Sequence, residues 1–181
     1  ADRLLADFQD SKHGGFFFTS HHHEELIQRC KSFNDDAIPS GNAIAAFALN
    51  RLGYLAGRQC YIDAAENCLR SAWNSIKQSP VSHCAFLNTL YEILTPPNIL
   101  IIRAADKDEK SWSAQSWQYY LPSTLVYCIP ANSTLHASLA EKTATDSSIA
   151  YPCSGKTCFS PLKTKGALTK YLKNNSYRIL E

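Results

Sequence analysis

The hydrophobic pattern of the chain changes at a double proline, Pro96-Pro97. Before it, apolar residues recur every three or four positions in three stretches, which are residues 40–56, 63–76 and 79–94. This spacing predicts three successive helices, because residues three or four apart share one helix face. After it, the apolar β-branched run at 98–103 is typical of a buried strand. We therefore predict a helical half, residues 1–97, and an α/β half, residues 98–181.

The second half combines strand and helix patterns. Residues 110–120 have a helical and aromatic pattern, and residues 123–129 form a second β-branched run. A strand, a helix and a strand in this order predict two parallel strands joined by a helical crossover. A third strand is predicted at 149–153, and a closing helix at 164–173.

Composition limits the kinds of protein that the chain can be. Its 181 residues are 45% hydrophobic and 19% charged, with a formal charge of +2, which suits a folded domain and excludes a disordered polymer. The longest apolar runs, such as 99–102, are far shorter than the roughly 18 residues of a membrane helix. The first residues lack the basic and apolar regions of a signal peptide. We therefore expect a cytoplasmic protein with no membrane partner.

The charge pattern bears on nucleic-acid binding. The isoelectric point is about 8.2, and the lysines are dispersed along the second half. Nucleic-acid binders concentrate basic residues on one face or interleave them with exposed aromatic rings. No nucleic-acid partner is therefore expected.

The chain contains no methionine. A natural reading frame of this size normally contains an initiator and several internal methionines. We therefore expect that the sequence is a fragment of a longer protein, or that methionines are missing from it.

Residues 13–42 form a long stretch that is rich in polar side chains, and long ordered loops often carry function. Glu25 and Arg29 are four residues apart, so on a helical turn they lie on one face and can form an ion pair. Further carboxylate, hydroxyl and amide side chains follow as far as Asn42. The alternative interpretation is a solvated surface loop with one ordinary ion pair.

Three adjacent histidines, His21-His22-His23, lie in this stretch. A zinc site needs ligands that converge, such as histidines four residues apart on a helix, whereas three adjacent side chains on an extended loop point in different directions. We therefore expect no metal, and no motif for another cofactor is found.

Seven cysteines occur, an odd number in a chain without an evident secretory signal, so reduced thiols are the simplest expectation. Cys60, Cys68 and Cys84 fall in apolar helical patterns, which predicts buried thiols. Cys153 and Cys158 form a pair between a predicted strand and the closing helix. Their four intervening residues allow a disulfide, and two free thiols fit the spacing as well, so a structural and a redox role both stay open.

Four segments carry a specific order of motifs, namely GGFFFT at 14–19, EELIQR at 24–29, DDAIPSGN at 35–42 and YPCSGKTCFSP at 151–161. In order and spacing they resemble the YyaL-like family of thioredoxin-domain-containing proteins, which is related to the spermatogenesis-associated thioredoxin-domain protein. The resemblance covers nearly the whole chain. It implies that the chain is the C-terminal part of a longer protein with an N-terminal thioredoxin-like domain.

The resemblance also implies a fold for the first half. In this family the corresponding region resembles the (α/α) six-hairpin toroid of N-acylglucosamine 2-epimerase-like enzymes and glycosidases. The predicted fold is therefore mainly α. Antiparallel helical hairpins of a partial toroid would occupy 1–97, with a long functional loop at 13–42, and a small βαβ tail over 98–181 would end in the closing helix.

A toroid of this kind binds its substrate at the mouth, between the loops that join the helices. The resemblance therefore implies a carbohydrate ligand and, if the chain is an enzyme, a sugar epimerase or isomerase, or a glycosidase. Glu25 and Asp35 are the candidate catalytic residues, since proton abstraction beside a carbonyl needs a base with a tuned pKa. The candidate substrate-binding residues are Arg29, Ser40, Asn42 and the stacking ring of Phe17.

Two other functions fit the sequence. The chain can be a non-catalytic interaction module for the thioredoxin-like domain of the same protein. The exposed apolar helix faces of an incomplete toroid would then favour a homodimer. The chain can also be a redox partner that uses Cys153 and Cys158.

Overall fold

Six helices and four strands follow one another in the computed structural model, which describes residues 1–24, 26–105, 107–135, 137–143 and 147–177. The helices before the double proline are α1 (Asp2–Phe8), α2 (Gly41–Ala56), α3 (Gln59–Gln78) and α4 (Cys84–Leu94). The elements after it are β1 (Asn98–Ala104), α5 (Glu109–Ser116), β2 (Thr124–Pro130), β3 (Ile149–Ser154), β4 (Thr157–Cys158) and α6 (Lys165–Asn175). Two 3₁₀ turns lie at Pro80–His83 and Ala137–Leu139.

The chain divides into two units, Ala1–Thr95 and Pro96–Glu181. Within the described residues, none of the helices combines the length and the apolar character that crossing a bilayer requires.

The three predicted helices of the first unit are confirmed. Ser40 begins α2, where its Oγ accepts a hydrogen bond from the N–H of Ala43, and Gly57 ends it with φ 64°. The second helix, α3, begins at Gln59, earlier than predicted, and the third helical stretch opens with the 3₁₀ turn before α4.

Small side chains allow α2, α3 and α4 to pack closely around one core. Gly53 lies where α2 meets α3, and an added Cβ there would come within 2.5 Å of Cγ1 of Ile62. Phe86 of α4 is fully buried and meets the ring of Phe33 edge to face. The remaining buried core residues include Ala43, Ala46, Leu49, Ala65, Cys68 and Ala72.

The predicted six-hairpin toroid is wrong. The described residues form a small α/β fold with six helices and a four-stranded mixed sheet. In the first unit the apolar faces of α2, α3 and α4 meet in a single core, whereas the hairpins of a toroid must stand side by side in a ring. The second unit contains the four-stranded sheet, where the prediction is a small βαβ tail.

Strand β1 is the buried centre of the sheet. The strand order is β2-β1-β3-β4, and β1 runs parallel to β2 and antiparallel to β3. Residues 99–104 are all buried, which explains the unbroken apolar run in the sequence. Leu100 and Ile102 of β1 pack with Trp112 of α5 and with Leu168 and Leu172 of α6.

The strands predicted at 98–103, 123–129 and 149–153 are confirmed, as is the helix predicted at 164–173. The sequence pattern does not predict β4, a strand of two residues that pairs with the end of β3. Such a short strand carries no periodicity of its own, so only its pairing reveals it.

Candidate functional site

The predicted carbohydrate site lies in the loop before α2. Glu25, one of its two candidate catalytic residues, falls outside the described residues. The other candidate, Asp35, is half-buried, and each of its carboxylate oxygens accepts a backbone hydrogen bond. Oδ1 accepts from the N–H of Ser40 and Oδ2 from the N–H of Ala85, both at 2.8 Å. Asp35 therefore ties the loop to the beginnings of α2 and α4.

Asn42 is buried and makes three hydrogen bonds with the backbone of the loop. Its Oδ1 accepts from the N–H of Phe16 at 2.6 Å, and its Nδ2 donates to the carbonyls of Phe16 and Ser32 at 2.9 and 3.0 Å. Ser40 caps α2, as described above. Ser40 and Asn42 are predicted to bind substrate, but their side chains make hydrogen bonds with the backbone of the protein itself.

Arg29 lies against Phe17. The guanidinium carbon is 4.0 Å from the centre of the ring, and Nη1 donates to Nδ1 of His21 at 2.9 Å. Nη2 donates to the carbonyl of Thr19. The ammonium of Lys31 lies 5.4 Å from the centre of the same ring. Phe17 therefore stacks on cations of its own chain.

Of the predicted site residues, Phe17, Arg29 and Asp35 lie in the loop before α2, Ser40 caps α2, and Asn42 belongs to its first turn. The side chains of Asp35, Ser40 and Asn42, however, bind the loop to the helices, and Arg29 binds other residues of the loop. The sugar site stays a prediction, and no general base is exposed among these five residues.

A polar cleft of about 360 Å³ opens beside this loop, between residues 9–14 and α3. Its wall includes Asp10, which is buried and accepts a hydrogen bond from Nζ of Lys31 at 2.8 Å. Burial acts to raise the pKa of Asp10. The hydrogen bonds from Lys31 and from the amides of His13 and Lys12 outweigh burial, and they hold the pKa well below its usual range. This carboxylate stays ionised and has a structural partner.

The pair Cys153 and Cys158 is joined in a disulfide across the β3–β4 hairpin. The two residues have different surroundings, because Cys153 is only 6% exposed on the buried part of β3 whereas Cys158 is exposed on β4. The spacing of Cys153 and Cys158 allows two free thiols or a disulfide, and the structure contains the disulfide.

Lys142, which no sequence motif marks as a candidate, lies beside the disulfide. Its Nζ lies 3.1 Å from Sγ of Cys158 and 5.8 Å from the centre of the Tyr151 ring. The hydroxyl of Tyr151 donates to the carbonyl of Thr143, which fixes the neighbouring backbone. No local pattern marks Lys142, since it belongs to a stretch without helical or strand periodicity. Only the fold brings its charge to the sulfur.

The other cysteines differ in exposure. Cys68 is fully buried as predicted, and burial raises its pKa to about 12, so its thiol is inert at neutral pH. Burial, together with the charge of Glu109, also raises the pKa of Cys128. Cys60 and Cys84 are exposed, contrary to the expectation from the helical pattern, because they lie at the beginnings of α3 and α4.

An exposed apolar row follows one side of α4. Leu87, Tyr91 and Leu94 are spaced by four and three residues, so they share a face, and Leu94 is 74% exposed. The homodimer predicted from such a face stays a prediction.

Among the described residues, no three side chains of His, Cys, Asp or Glu are grouped so that they can hold a metal ion.

The sequence matches no family model and no curated protein. The resemblance to the YyaL-like family therefore remains a prediction from the four motif segments.

Proposed function

We propose that the chain is a thiol–disulfide exchange protein whose Cys153–Cys158 pair alternates between a disulfide and a dithiol. The observation that carries this proposal is the asymmetry of the pair. One sulfur belongs to an exposed residue with a lysine ammonium 3.1 Å away, and the other belongs to a residue in the buried part of β3. An exposed cysteine next to a cation and a buried partner cysteine is the arrangement in which exchange is selective for one sulfur.

The reductant in the proposed reaction is a protein dithiol. A thiolate of the dithiol attacks Sγ of Cys158, because this residue is exposed. A sulfur–sulfur bond forms between the dithiol and Cys158, and the Cys153–Cys158 bond breaks. Its electron pair leaves on Sγ of Cys153, which then takes up a proton.

The second thiol of the reductant completes the exchange. Once deprotonated, it attacks the reductant's own sulfur in the mixed disulfide and releases Cys158 as a thiolate. The ammonium of Lys142 stabilises this leaving group. Overall, the reductant loses two electrons and two protons and becomes a disulfide. Cys153 and Cys158 gain the two electrons, Cys153 takes up one proton as a thiol, and the other proton goes to the solvent while Cys158 is a thiolate.

The same charge favours the reverse direction. In the reduced chain, Lys142 stabilises the thiolate of Cys158 relative to its thiol, so Cys158 is the nucleophile and Cys153 the resolving cysteine. Lys142 touches the reacting sulfur, whereas Tyr151 is a positioning residue that acts through Lys142 and Thr143.

A thioredoxin-like domain is the class of dithiol that the family resemblance suggests as the partner. We also propose that the protein is cytoplasmic, where disulfides are mostly transient and belong to catalytic or redox-sensing pairs. A pair with one exposed cysteine is suited to such a transient state.

Residue-specific alkylation of the reduced chain tests the proposal. The full chain is labelled briefly with iodoacetamide between about pH 6 and pH 9, and mass spectrometry gives the rate at Cys158. In Lys142→Met, half-maximal labelling of Cys158 should need a higher pH. Labelling at neutral pH should be about three-fold slower, because a smaller fraction of Cys158 is ionised, although each thiolate is then a stronger nucleophile. Lys142→Arg, which keeps the charge, should restore part of the rate.

Lys163→Met is the matched control, because it removes the charge of an exposed lysine five residues after Cys158. It should label like the unmodified chain, and Tyr151→Phe should show a smaller change in the direction of Lys142→Met. An unchanged pH profile in Lys142→Met contradicts the proposal. So does complete alkylation of both Cys153 and Cys158 in the air-oxidised chain, which would mean that no disulfide forms.

A further inference from the structure

The strand that carries Cys158 has an open edge. β4 is the last strand in the order β2-β1-β3-β4, and both of its residues are exposed. The N–H of Phe159 donates to the carbonyl of Pro152 at 2.9 Å, so residues 152 and 159 face each other at a hydrogen-bonded position. In an antiparallel pair these positions alternate with non-hydrogen-bonded ones, so Cys153 and Cys158 occupy a non-hydrogen-bonded position.

This register decides where the backbone groups of Cys158 point. At a non-hydrogen-bonded position, the N–H and C=O of each residue point away from the paired strand. The short distance of 4.0 Å between the Cα atoms of Cys153 and Cys158 agrees with such a position. The N–H and C=O of Cys158 are thus directed to the open edge, and no described residue hydrogen-bonds to them.

The attack on the sulfur of Cys158 comes from the same side. A thiolate that attacks a disulfide approaches in line with the bond that breaks, opposite the leaving sulfur. The leaving sulfur belongs to Cys153 on β3, so the approach to Cys158 comes from the side away from β3. The attacking sulfur and the unpaired backbone groups therefore share one edge of β4.

We propose that the exchange partner docks by adding an extended, cysteine-bearing segment to the free edge of β4. This inference rests on the exchange function proposed above. The N–H and C=O of Cys158 would pair with the backbone of the partner's attacking cysteine, as in other cases of strand addition to a sheet edge. Residues opposite each other in a hydrogen-bonded pair have Cα atoms about 5.5 Å apart, within the range that a disulfide bridges.

The short edge also sets the strength of docking. β4 offers the partner the backbone groups of one residue, Cys158, because those of Thr157 face Ser154. One or two hydrogen bonds give a weak, transient complex, each bond contributing a few-fold in affinity or rate. The docking that we propose therefore orients the attacking cysteine and releases the product readily.

Two capped pentapeptides test this docking, Thr-Val-Cys-Val-Thr and the same peptide with an N-methyl group on its cysteine. The methyl group removes one backbone donor and leaves the thiol in place. The full chain with Cys153→Ser, and with the exposed Cys30, Cys60 and Cys84 also changed to serine, is loaded at Cys158 as the mixed disulfide with thionitrobenzoate. The release of thionitrobenzoate gives the rate. The rates of both peptides with free dithiobis-nitrobenzoate correct for their intrinsic reactivity.

After this correction, the unmethylated peptide should react about five-fold faster with the protein than the methylated one. Equal corrected rates would overturn docking at the edge. The unmodified chain provides a second measurement that does not depend on the folding of the variant, namely the rate at which each peptide opens the native disulfide, followed by mass. The same ratio is expected there.

The outcomes separate the two proposals. If Lys142→Met changes the pH profile of Cys158 but the corrected peptide rates are equal, exchange is supported and edge docking is wrong. If Lys142→Met has no effect, the exchange function is wrong, and the docking proposal fails with it.

Discussion

The ammonium of Lys31 lies 2.8 Å from Oδ2 of Asp10, and the two side chains are only 15% and 10% exposed. The carbonyl of Gly14 accepts a second hydrogen bond from Lys31 at 2.7 Å, so the pair fastens the turn after α1 to the loop before α2. A charge pair at this depth contributes to stability only while both groups are ionised.

The Asp10–Lys31 pair predicts a pH dependence of stability. The folded-state pKa of Asp10 lies below its unfolded value. As the pH falls from the unfolded value toward the folded one, the unfolded chain therefore binds more protons than the folded chain. The contribution of Asp10 is therefore complete above about pH 4 and declines at lower pH. In Asp10→Asn, the free energy of unfolding at neutral pH should fall by about 3 kcal/mol, because Lys31 loses its buried partner.

Urea unfolding between about pH 3 and pH 7 measures this dependence. Asp36→Asn serves as the control, since Asp36 is an exposed carboxylate of the same loop. If the free energy of unfolding changes with pH below pH 4 to the same extent in Asp10→Asn and in the unmodified chain, the pH dependence does not come from Asp10.

The hydrogen bonds of Asn42 predict a loss of stability on truncation. Asn42→Ala leaves the buried N–H and C=O of Phe16 without their partner, and it removes a further bond to Ser32. We expect the free energy of unfolding to fall by about 2 to 3 kcal/mol. Asn34→Ala, at an exposed position of the same loop, should change it by less than about 0.5 kcal/mol. Chemical denaturation of the two variants checks the difference, and equal values would show that Asn42 does not hold the loop.

Two glycines of α2 predict opposite results for the same substitution. At Gly41 an added Cβ meets nothing within 4 Å, so Gly41→Ala should keep or raise stability by up to about 0.5 kcal/mol. At Gly53 the Cβ would meet both Cγ1 and the backbone nitrogen of Ile62, at 2.5 and 3.1 Å. Gly53→Ala should therefore lose about 1 to 3 kcal/mol despite the better helix propensity of alanine. Thermal and urea unfolding compare the two variants, and a stabilised Gly53→Ala would mean that α2 and α3 pack less closely.

The environment of Cys68 predicts a thiol that reacts only after unfolding. With a pKa of about 12, roughly one in 10,000 of these thiols is ionised at pH 8, and the residue is fully buried. Iodoacetamide should label Cys60 of the same helix within minutes, since Cys60 is exposed, and should leave Cys68 unlabelled until denaturant is added. Peptide mapping by mass spectrometry reads both sites. Equal labelling of the two thiols in the native protein would contradict this packing.

Several features of this protein follow from its sequence alone. The spacing of apolar residues predicts α2, α3 and α4, and the β-branched run at 98–103 predicts the central strand β1. These elements depend on interactions between residues that are near in sequence, or on burial of one face, which the local pattern records. The ends of α2 are equally local, because Ser40 and Gly57 act on the backbone within a few residues of themselves.

Other features depend on contacts between distant segments. The toroid, which the family resemblance implies, is wrong. The helical pattern does not exclude it, because this pattern specifies which face of each helix is apolar and does not specify whether the faces meet in one core or in a ring. Asp35 is a plausible base in the sequence, but its two oxygens accept hydrogen bonds from amides at positions 40 and 85.

The cysteine pair combines both kinds of information. Its spacing permits a disulfide, and the exposure of Cys158 and burial of Cys153 follow from the hairpin that β3 forms with β4. Lys142, which lies in a stretch without a repeating pattern, reaches the sulfur of Cys158 from 16 residues away. The sequence therefore determines which residues can form the pair, and the tertiary structure decides which sulfur has a charged neighbour, because that contact depends on the path of the chain between them.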